Sequence, residues 1–288
     1  MPSVEEQTYF VPHYTMPFCK GCGHSHILRK LNDALVALKL KPSDVALVTD
    51  IGCIGLADAL FENIHTVHTT HGRSTAFATG IQLADAVLAR RSESDAAASF
   101  AEALRHAGVL GTSALKTIVL IGDGGAMIGL QHLVNAALLN VDVTVILANN
   151  FLFGMTGGQN SAFSPFDFIT PTTPRGNIIP PIDMCRVMMD ARAEFVARKL
   201  ATDKDLSGTL VRAIEHPGFS LVEVVELCTE YAMTRNEIAG NTLGKIVEAH
   251  GEQLGVLIDA ATRKPFGTVY AEKYPQKETT DATGGFLE

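Results

Sequence analysis

The chain carries an acidic side chain and an amide after two strand-like runs, an arrangement suited to binding a divalent cation. Asp123 follows the β-branched apolar run 117–121, and Asn150 follows a second such run, 143–147. Apolar residues at helical spacing over 127–139 lie between the two runs. Because the carboxyl ends of parallel strands share one edge of a sheet, we expect both side chains at the same ligand crevice. Mg²⁺ in proteins is commonly bound by carboxylate and phosphate oxygens, so the sequence predicts a magnesium diphosphate site.

The glycines on both sides of Asp123 fit this interpretation. Gly122 and Gly124 let the backbone approach a diphosphate and leave amide hydrogens directed at it near a helix start. A Gly-Asp-Gly tripeptide alone is also an ordinary turn. The separation of Asp123 from Asn150, 150 − 123 = 27 residues, spans one helix and one strand and favours the binding site over the turn.

The five cysteines are the second source of chemistry. Cys19 and Cys22 form a glycine-rich C-x-x-C loop, which is compatible with a zinc half-site, a redox dithiol or two incidental thiols. Zinc requires two further ligands, which are distant in sequence, and a thioredoxin-like dithiol follows a strand, which this loop does not. Cys185 lies in the apolar stretch 182–200 with helical spacing. A buried free thiol is the usual role there, so we expect Cys185 in the core.

Two other cysteines lie at the ends of predicted strands. Cys53 follows the strand 45–49, and Cys228 ends the strand 220–227. Both therefore lie at a sheet edge and can converge with the C-x-x-C loop beside the diphosphate. Four thiolates are what a 4Fe-4S cluster requires, although scattered single cysteines are more commonly packing residues.

Two segments give the chain a resemblance to a known family. The Gly-Asp-Gly of 122–124 with the amide pair 149–150 resembles the thiamine diphosphate motif. The sequence Phe-Gly-Met-Thr-Gly-Gly-Gln over 153–159 is similar to the β subunits of 2-oxoacid:ferredoxin oxidoreductases, and the resemblance extends over about 18–236. It implies ligands for two metal groups: Asp123, Asn150 and the Leu152 carbonyl for magnesium, and Cys19, Cys22, Cys53 and Cys228 for a 4Fe-4S cluster. It also implies a set of thiamine diphosphate contacts: Ile51, Gly52, Cys53, Ile54, His71, Gly122, Asp123, Gly124, Asn150, Leu152, Gly154, Met155 and Thr156.

His71-Gly72-Arg73 is similar to a stretch of the same family in which the histidine contacts the cofactor near the reacting carbon. His71 is therefore the predicted catalytic residue and a candidate proton handler, although a histidine beside a glycine turn is more often structural. Arg73 is a candidate contact for a substrate carboxylate, or a helix-start residue. His65 and His68 lie near His71 in sequence, but a shared metal site would require a bulge in a strand that we expect to end near His68.

Composition and charge limit the classes of protein. A chain of 288 residues with 47% hydrophobic content can bury a large α/β core. Its formal charge of −8 disfavours nucleic acid as a partner. The apolar runs are too short to cross a membrane, and the acidic amino terminus has no signal-like stretch, so we expect a soluble, cytoplasmic protein. An odd number of cysteines in such a chain argues against a disulfide framework.

The order of the elements predicts an α/β fold, the thiamine diphosphate-binding fold, with a mainly parallel sheet covered by helices on both faces. The predicted elements are helix 26–40, strand 45–49, strand 64–67, helix 74–90, strand 117–121, helix 127–139, strand 143–147, the helical stretch 182–200, strand 220–227 and helix 246–261. We expect 92–100 as a surface connection or helix start, and the proline-rich 163–181 as an ordered loop or a lid. The chain divides into an N-terminal segment with the C-x-x-C loop and first helix (1–44), a cofactor-binding core (45–230) and a C-terminal arm (231–288).

The resemblance implies a reaction and partners. The reaction is CoA-dependent oxidative decarboxylation of a 2-oxoacid, with electrons passing through the 4Fe-4S cluster to ferredoxin, and reductive carboxylation in reverse. The segment 153–159 is most like enzymes that convert 2-oxoglutarate to succinyl-CoA. Phe153 in place of the commoner tyrosine, and Thr69 and Thr70 before His71, leave pyruvate or other 2-oxoacids open. The glutamate that activates thiamine is expected on an α subunit with the pyrimidine-binding domain, so the chain should function only in an αβ pair, expected as (αβ)2.

Two other classes of protein stay open. A non-redox thiamine diphosphate decarboxylase subunit would keep Asp123 and Asn150 but would have no use for four converging cysteines. A nucleotide-binding scaffold is the second class. Against it, Met127 stands where a dinucleotide-binding motif starting at Gly122 would have its last glycine, and the chain has no P-loop sequence.

Overall fold

The computed structural model describes residues 8–62, 64–88 and 115–274. Its main feature is a seven-stranded sheet in the order β2-β1-β3-β4-β8-β7-β9, parallel except for the edge strand β9. The strands are β1 (Val45–Thr49), β2 (His65–His68), β3 (Lys116–Gly122), β4 (Val143–Asn149), β5 (Leu152–Phe153), β6 (Gln159–Asn160), β7 (Phe195–Leu200), β8 (Ser220–Val225) and β9 (Gly255–Asp259). The strands β5 and β6 form a separate antiparallel pair.

Helices cover both faces of this sheet, as predicted. They are α1 (His24–Leu38), α2 (Ser74–Leu88), α3 (Asp123–Ile128), α4 (Leu130–Leu139), α5 (Met184–Asp190), α6 (Leu206–Glu215), α7 (Met233–Asn236), α8 (Leu243–Ala249) and α9 (Phe266–Lys273). Successive strand residues point to opposite faces, so Leu120 packs in one core cluster with α1 and α6, and Val119 packs in another with α2, α4 and α5. Burial of each such side chain contributes about 1.5–3 kcal/mol. The two clusters hold the central strands, whose carboxyl ends form one edge.

Most predicted elements agree with the structure within about two residues, but the stretch 182–200 does not form one helix. The helix α5 ends at Asp190, and β7 runs over Phe195–Leu200 between β8 and β9. Arg192 between them has a positive φ of 68°. Apolar spacing alone did not separate a buried strand from a helix, because β7 is covered on both faces and lacks strict alternation.

The predicted helix 246–261 is also wrong. The helix α8 ends at Ala249, and β9 then pairs antiparallel with β7, so the predicted C-terminal arm contributes an edge strand to the sheet. Gly251 and Gly255 both have positive φ, which permits the turns between the two elements. The residues 92–100, the last two residues of the predicted helix 74–90, and 275–288 lie outside the described part of the chain.

Two further details position the site. The predicted helix 127–139 is two helices, α3 and α4, which meet at Gly129, where a Cβ would overlap the Gly72 carbonyl. The segment 163–181 is an ordered loop without regular structure. Asn177 fixes it, because its buried Nδ2 donates to the carbonyls of Ser164 (2.8 Å), Pro165 and Ile179. None of the helices in the described ranges has the length and apolarity to cross a bilayer.

Candidate active site at the carboxyl edge of the sheet

The carboxyl ends of β1, β3 and β4 enclose a cavity of about 100 Å³. Neighbouring register pairs such as Gly122 with Ala148 bring Asp123 and Asn150 to the same edge. All thirteen residues that the sequence predicts as cofactor contacts line this cavity. Its lining also includes four residues that were not predicted: His24, Gly125, Ala148 and Phe153.

Among the residues that the structure describes, Asp123 is the only carboxylate in the cavity lining, and it is buried. Its Oδ2 accepts a hydrogen bond from Ser161 Oγ at 2.6 Å, and its Oδ1 accepts one from the Gly124 amide at 2.8 Å. Burial raises the pKa of Asp123 to about 7, against the opposing effect of these two bonds. A buried carboxylate is stabilised in its charged form by a cation, so the residue suits a magnesium ligand.

The turn after β4 presents the amide of Asn150 and the carbonyl of Leu152. Asn149 holds this turn: its Nδ2 donates to Glu223 Oε1 at 2.8 Å, and its Oδ1 accepts from the Phe151 amide at 3.1 Å. Phe151 has a positive φ of 71°, an uncommon conformation for a bulky residue. Asn150 and Leu152 line the cavity, whereas Asn149 does not. The second amide of the pair is therefore the one that faces the cavity.

The glycines of the Asp123 turn have two different roles. A Cβ at Gly122 would meet no atom closer than 3.9 Å, so this glycine leaves the cavity open beside the backbone. A Cβ at Gly124 would overlap the Phe153 ring, and one at Gly125 would overlap the Asp50 carboxylate. Gly122 thus matches the expected approach of a diphosphate, while Gly124 and Gly125 are required by packing.

All four predicted cluster cysteines line a second cavity, of about 190 Å³. This cavity shares several lining residues with the first: His24, Cys53, Asn150, Gly154 and Met155. Cys185 is remote from it, and its Sγ lies 3.2 Å from Glu223 Oε2 in the core, as predicted. The structure therefore brings together four thiols from three distant segments and leaves the fifth apart.

The protonation of these thiols fits a metal-dependent site. Burial raises the pKa of Cys22, with the Glu226 carboxylate adding to the effect. Burial, and then the neighbouring Cys228, raise the pKa of Cys53 to about 11. Burial also raises the pKa of Cys228. Such thiols stay protonated at neutral pH in the absence of a cation, and positively charged iron favours their thiolate forms.

Two residues beside the cysteines were not predicted. Cys22 Sγ lies 3.2 Å from His24 Nδ1, and the same nitrogen lies 2.6 Å from Glu226 Oε1. Neither oxygen of the fully buried Glu226 has a partner with hydrogen-bond geometry among the described residues, despite this short distance. In the sequence, Glu226 could have been selected as a charged residue near the end of the apolar run 220–227. Gly23 makes room for it, since a Cβ there would overlap the Glu226 side chain.

The loop that carries His71 is also part of the first cavity. His71 lines the cavity, and its Nδ1 lies 2.6 Å from Oδ1 of Asp50, a residue that sequence reasoning did not select. Arg73 is exposed, lines neither cavity, and has its Nη1 3.0 Å from His132 Nε2. Its contact with a substrate carboxylate stays a prediction. His68 is hydrogen-bonded to Thr49, so it does not join His71 in a cluster.

Comparison with known proteins agrees with this geometry. Residues 50–224 match the family model described as "Thiamine pyrophosphate enzyme, C-terminal TPP binding domain". The chain is 32% identical over 230 residues to the 2-oxoglutarate synthase subunit KorB of Methanothermobacter marburgensis, covering 79% of this chain and 70% of the relative. It is 34% identical over 223 residues to the protein of the same name from Methanocaldococcus jannaschii, covering 77% and 71%.

A solved structure supports the fold. The 2-oxoglutarate:ferredoxin oxidoreductase from Magnetococcus marinus, with 2-oxoglutarate, coenzyme A and succinyl-CoA bound, superposes with a TM-score of 0.75. The match covers 97% of this chain and 95% of that chain at 24% identity, so it bears on the architecture alone. From the sequence relatives and the matched family model, the chain belongs to the thiamine diphosphate-binding β subunits of the 2-oxoacid:ferredoxin oxidoreductases.

Proposed function

We propose that the chain is the β subunit of a 2-oxoglutarate:ferredoxin oxidoreductase, which converts 2-oxoglutarate and coenzyme A to succinyl-CoA and carbon dioxide. Two electrons pass to ferredoxin through a 4Fe-4S cluster, and the reverse carboxylation uses the same site. The observation that carries the proposal is the pair of adjoining cavities, one with Asp123 and one with four cysteines. A non-redox thiamine enzyme has no need for the second cavity.

Three groups of this chain are proposed to hold magnesium and the cofactor diphosphate. The Asp123 carboxylate supplies charge, and the Asn150 amide oxygen and Leu152 carbonyl supply neutral ligands. The shared location of these groups at the end of β3 and β4 supports the assignment. When bound, thiamine diphosphate supplies a carbanion nucleophile and an electron sink for the oxoacid carbon.

The four cysteines are proposed to ligate the cluster within reach of the reacting carbon. Five residues line both cavities: His24, Cys53, Asn150, Gly154 and Met155. Such a shared wall would allow electron transfer between a cofactor in the first cavity and a cluster in the second. The donor set, four thiols around one space, matches a 4Fe-4S cluster and exceeds the two thiols of a redox dithiol. A zinc site can use the same four donors, so iron analysis separates these two alternatives.

An α subunit completes the proposed site. Thiamine activation requires a glutamate against the aminopyrimidine, and Asp123, proposed for magnesium, is the only carboxylate that lines the cofactor cavity among the described residues. We therefore expect the partner's pyrimidine-binding domain to supply the acid, in an (αβ)2 assembly in the cytoplasm. The name of the relatives, 2-oxoglutarate synthase subunit, favours 2-oxoglutarate over pyruvate or a broad range of 2-oxoacids.

Anaerobic co-expression with the partner subunit tests the proposal. The purified complex should contain about four irons per β chain with broad brown absorbance, and also thiamine diphosphate and magnesium. A panel of 2-oxoacids with coenzyme A and an electron acceptor should give the highest kcat/KM for 2-oxoglutarate. An iron-free complex that decarboxylates without coenzyme A would contradict the proposal and support the non-redox alternative. Preference for pyruvate would overturn the substrate assignment alone.

A further inference from the structure

Asp50 is a buried carboxylate at the end of β1 that lines neither cavity. Its backbone amide donates to the Leu120 carbonyl at 3.0 Å, which extends the pairing of β1 with β3 and fixes the residue. The side chain accepts hydrogen bonds from the Gly72 amide and from the amide and hydroxyl of Ser74, and its Oδ1 lies 2.6 Å from His71 Nδ1. Every atom that contacts its oxygens in these bonds is a nitrogen or a hydroxyl able to donate.

The bond to His71 is the shortest of this set, at 2.6 Å, compared with 2.9 Å from Gly72 and 2.9 Å from Ser74 Oγ. An ionised carboxylate only accepts hydrogen bonds, so the ring nitrogen that faces it must carry hydrogen. In the neutral ring, Nε2 is then the acceptor, and it lies on the edge of the ring away from Asp50. The His71 side chain is one-third exposed, on the cavity side.

The loop that carries His71 is held from a second direction. Arg73 N donates to the Thr70 carbonyl at 3.0 Å and closes a turn, in which Gly72 has a positive φ of 73°. A Cβ at Gly72 would overlap Ile128 at the end of α3, the helix that begins with Asp123. The backbone around His71 is therefore packed, and the remaining freedom is rotation of its side chain. The bond to Asp50 removes that freedom.

A purely structural role for Asp50 explains only part of this arrangement. A carboxylate at a helix start stabilises the helix, and the bonds from Gly72 and Ser74 at the beginning of α2 fit that role. The bond from the His71 side chain adds nothing to capping. Of the two histidines that line the cofactor cavity, His24 has its Nδ1 beside Cys22 and Glu226. His71 is the one whose orientation depends on Asp50.

We propose that Asp50 is a positioning residue that acts through His71: it holds Nδ1 as a donor and aims Nε2 at the cofactor cavity. The inference rests on the proposed function for the role of His71, because Nε2 would there exchange a hydrogen bond or proton with the oxygen of the reacting 2-oxoacid. A histidine oriented by a buried carboxylate has a defined tautomer, which determines which of these roles it performs.

Kinetics of the αβ complex provide the first test. Asp50→Asn should lower kcat by about 10- to 100-fold, the range found when the partner that orients a functional histidine is removed, with the KM for 2-oxoglutarate nearly unchanged. His71→Gln should lower kcat at least as far, and the double variant should be no slower than His71→Gln alone. Ser74→Ala is the control, since it removes another bond to the same carboxylate and should change thermal stability but not kcat. A double variant whose loss equals the product of the single losses would overturn the proposal.

Nitrogen spectroscopy provides a second test that does not require turnover. Solid-state ¹⁵N spectra of the histidine-labelled wild-type complex, minus those of His71→Gln, isolate the signals of this ring. We expect a protonated Nδ1, and a bare Nδ1 in the wild-type complex would overturn the inference even if every Asp50 variant failed to fold. If the wild-type complex lacks oxoacid activity, only the proposed function is contradicted. The protonation of His71 Nδ1 in the spectra would still test the positioning role of Asp50.

Discussion

The magnesium half of the site, defined as Asp123, Asn150 and Leu152, differs from the cysteine half in how it is held. The side-chain oxygens of Asp123 and Asn150 already have partners within the chain. Asp123 accepts hydrogen bonds from Ser161 and Gly124, and the Asn150 side chain accepts one from the Leu152 amide at 3.3 Å. These bonds fix the directions of both side chains before any ligand binds.

The cysteine half, defined as Cys19, Cys22, Cys53 and Cys228, is joined mainly through backbone. The Gly23 amide donates to the Leu227 carbonyl at 3.2 Å, and Thr229 Oγ1 donates to the Lys20 carbonyl at 3.2 Å. These two bonds tie the C-x-x-C loop to the turn after β8. The thiols themselves have raised pKa values, for Cys53 about 11 because of burial and the neighbouring Cys228.

This contrast indicates that the two halves would depend on their proposed metals in different ways. In the magnesium half, hydrogen bonds from neutral groups orient the side chains, so magnesium would enter a nearly finished geometry. In the cysteine half, the backbone brings the sulfurs together, but the thiolates would form only when iron compensates their charge. Substitution of a ligand in one half should therefore leave the metal content of the other half unchanged.

Cys228→Ala should have the largest effect. Removing one of four thiolates should eliminate the intact cluster and lower ferredoxin reduction by more than about 1000-fold, equivalent to about 4 kcal/mol. Iron analysis and absorbance of the anaerobic αβ complex measure the loss. Thiamine diphosphate affinity should stay within about threefold, or less than 1 kcal/mol.

Cys185→Ala is the matched control for this substitution. Its thiol lies in the core and lines neither cavity, so iron content should be unchanged. Loss of a small buried side chain should lower stability by about 1 kcal/mol. A complex of Cys228→Ala with normal iron would show that the cysteine half has other ligands and would remove the basis of the comparison.

Asp123→Ala should give the reciprocal result. Without its only carboxylate ligand, the magnesium half should bind thiamine diphosphate at least about 100-fold more weakly, or about 2.7 kcal/mol. Iron content should remain that of the wild-type complex, because Asp123 lines only the first cavity. Calorimetric titration with cofactor and magnesium measures the affinity. Equal affinity in the variant would refute the assignment of Asp123.

The sequence could predict the convergence of Asp123 and Asn150 because the pattern that carries them is local. A strand, a turn with Asp123, a helix and a second strand ending at Asn150 are enough to bring both residues to one sheet edge. The cysteine half depends on the convergence of distant segments. The spacing of the cysteines alone did not decide whether they converge, and the four-cysteine set was predicted from the resemblance to a family. The strand β7 was missed because its burial depends on pairing with β8 and β9.

Three residues of the site were missed for a related reason. Asp50 directly follows β1, and it contacts His71 because the parallel register of β1 with β2 brings the two strand ends together. Glu226 and His24 are 202 residues apart (226 − 24) and meet only in the folded chain. A single sequence contains no signal that pairs them, because the two partners lie in different segments of the chain.

Cofactor binding to the magnesium half should depend on pH, whereas the iron content of the cysteine half should not. Magnesium must displace the proton of Asp123, whose pKa is about 7 because of burial. Cofactor affinity should therefore be full above this pH and fall by up to about tenfold for each unit below it. Titrations at pH 5.5 to 8.5 measure this dependence, with iron content as the internal control for the other half.

Ser161→Ala should shift that dependence upward. The Ser161 hydroxyl stabilises the ionised Asp123, so its removal should raise the pKa of Asp123 and weaken cofactor affinity at pH 7 by about tenfold. Ser161→Thr keeps the hydroxyl and serves as the control. An unchanged pH profile in Ser161→Ala would mean that the orientation of Asp123 does not depend on this bond.

The ion pair of Glu252 with Arg198 lines neither cavity, and a substitution there should have the smallest effect. Its pH dependence reports on the stability of the whole chain and not on cofactor binding. Burial raises the pKa of Glu252 to about 7, against the attraction of Arg198, whose Nη2 lies 3.3 Å from Glu252 Oε2. The folded chain binds the Glu252 proton more tightly than the unfolded chain does. The contribution of this proton to the free energy of unfolding is therefore present at acid pH and is lost as pH rises from about 4.5 to 7.

Glu252→Gln should therefore be as stable as the wild type at pH 5. At pH 8 its free energy of unfolding should be higher than that of the wild type by on the order of 1 kcal/mol, so it should unfold at a higher temperature. Thermal unfolding of the αβ complex measures this, with the exposed Glu248→Gln as control. If Glu252→Gln instead changed the pH profile of cofactor binding, the dependence attributed to Asp123 would belong partly to this remote pair, and the magnesium half would be less independent than its hydrogen bonds indicate.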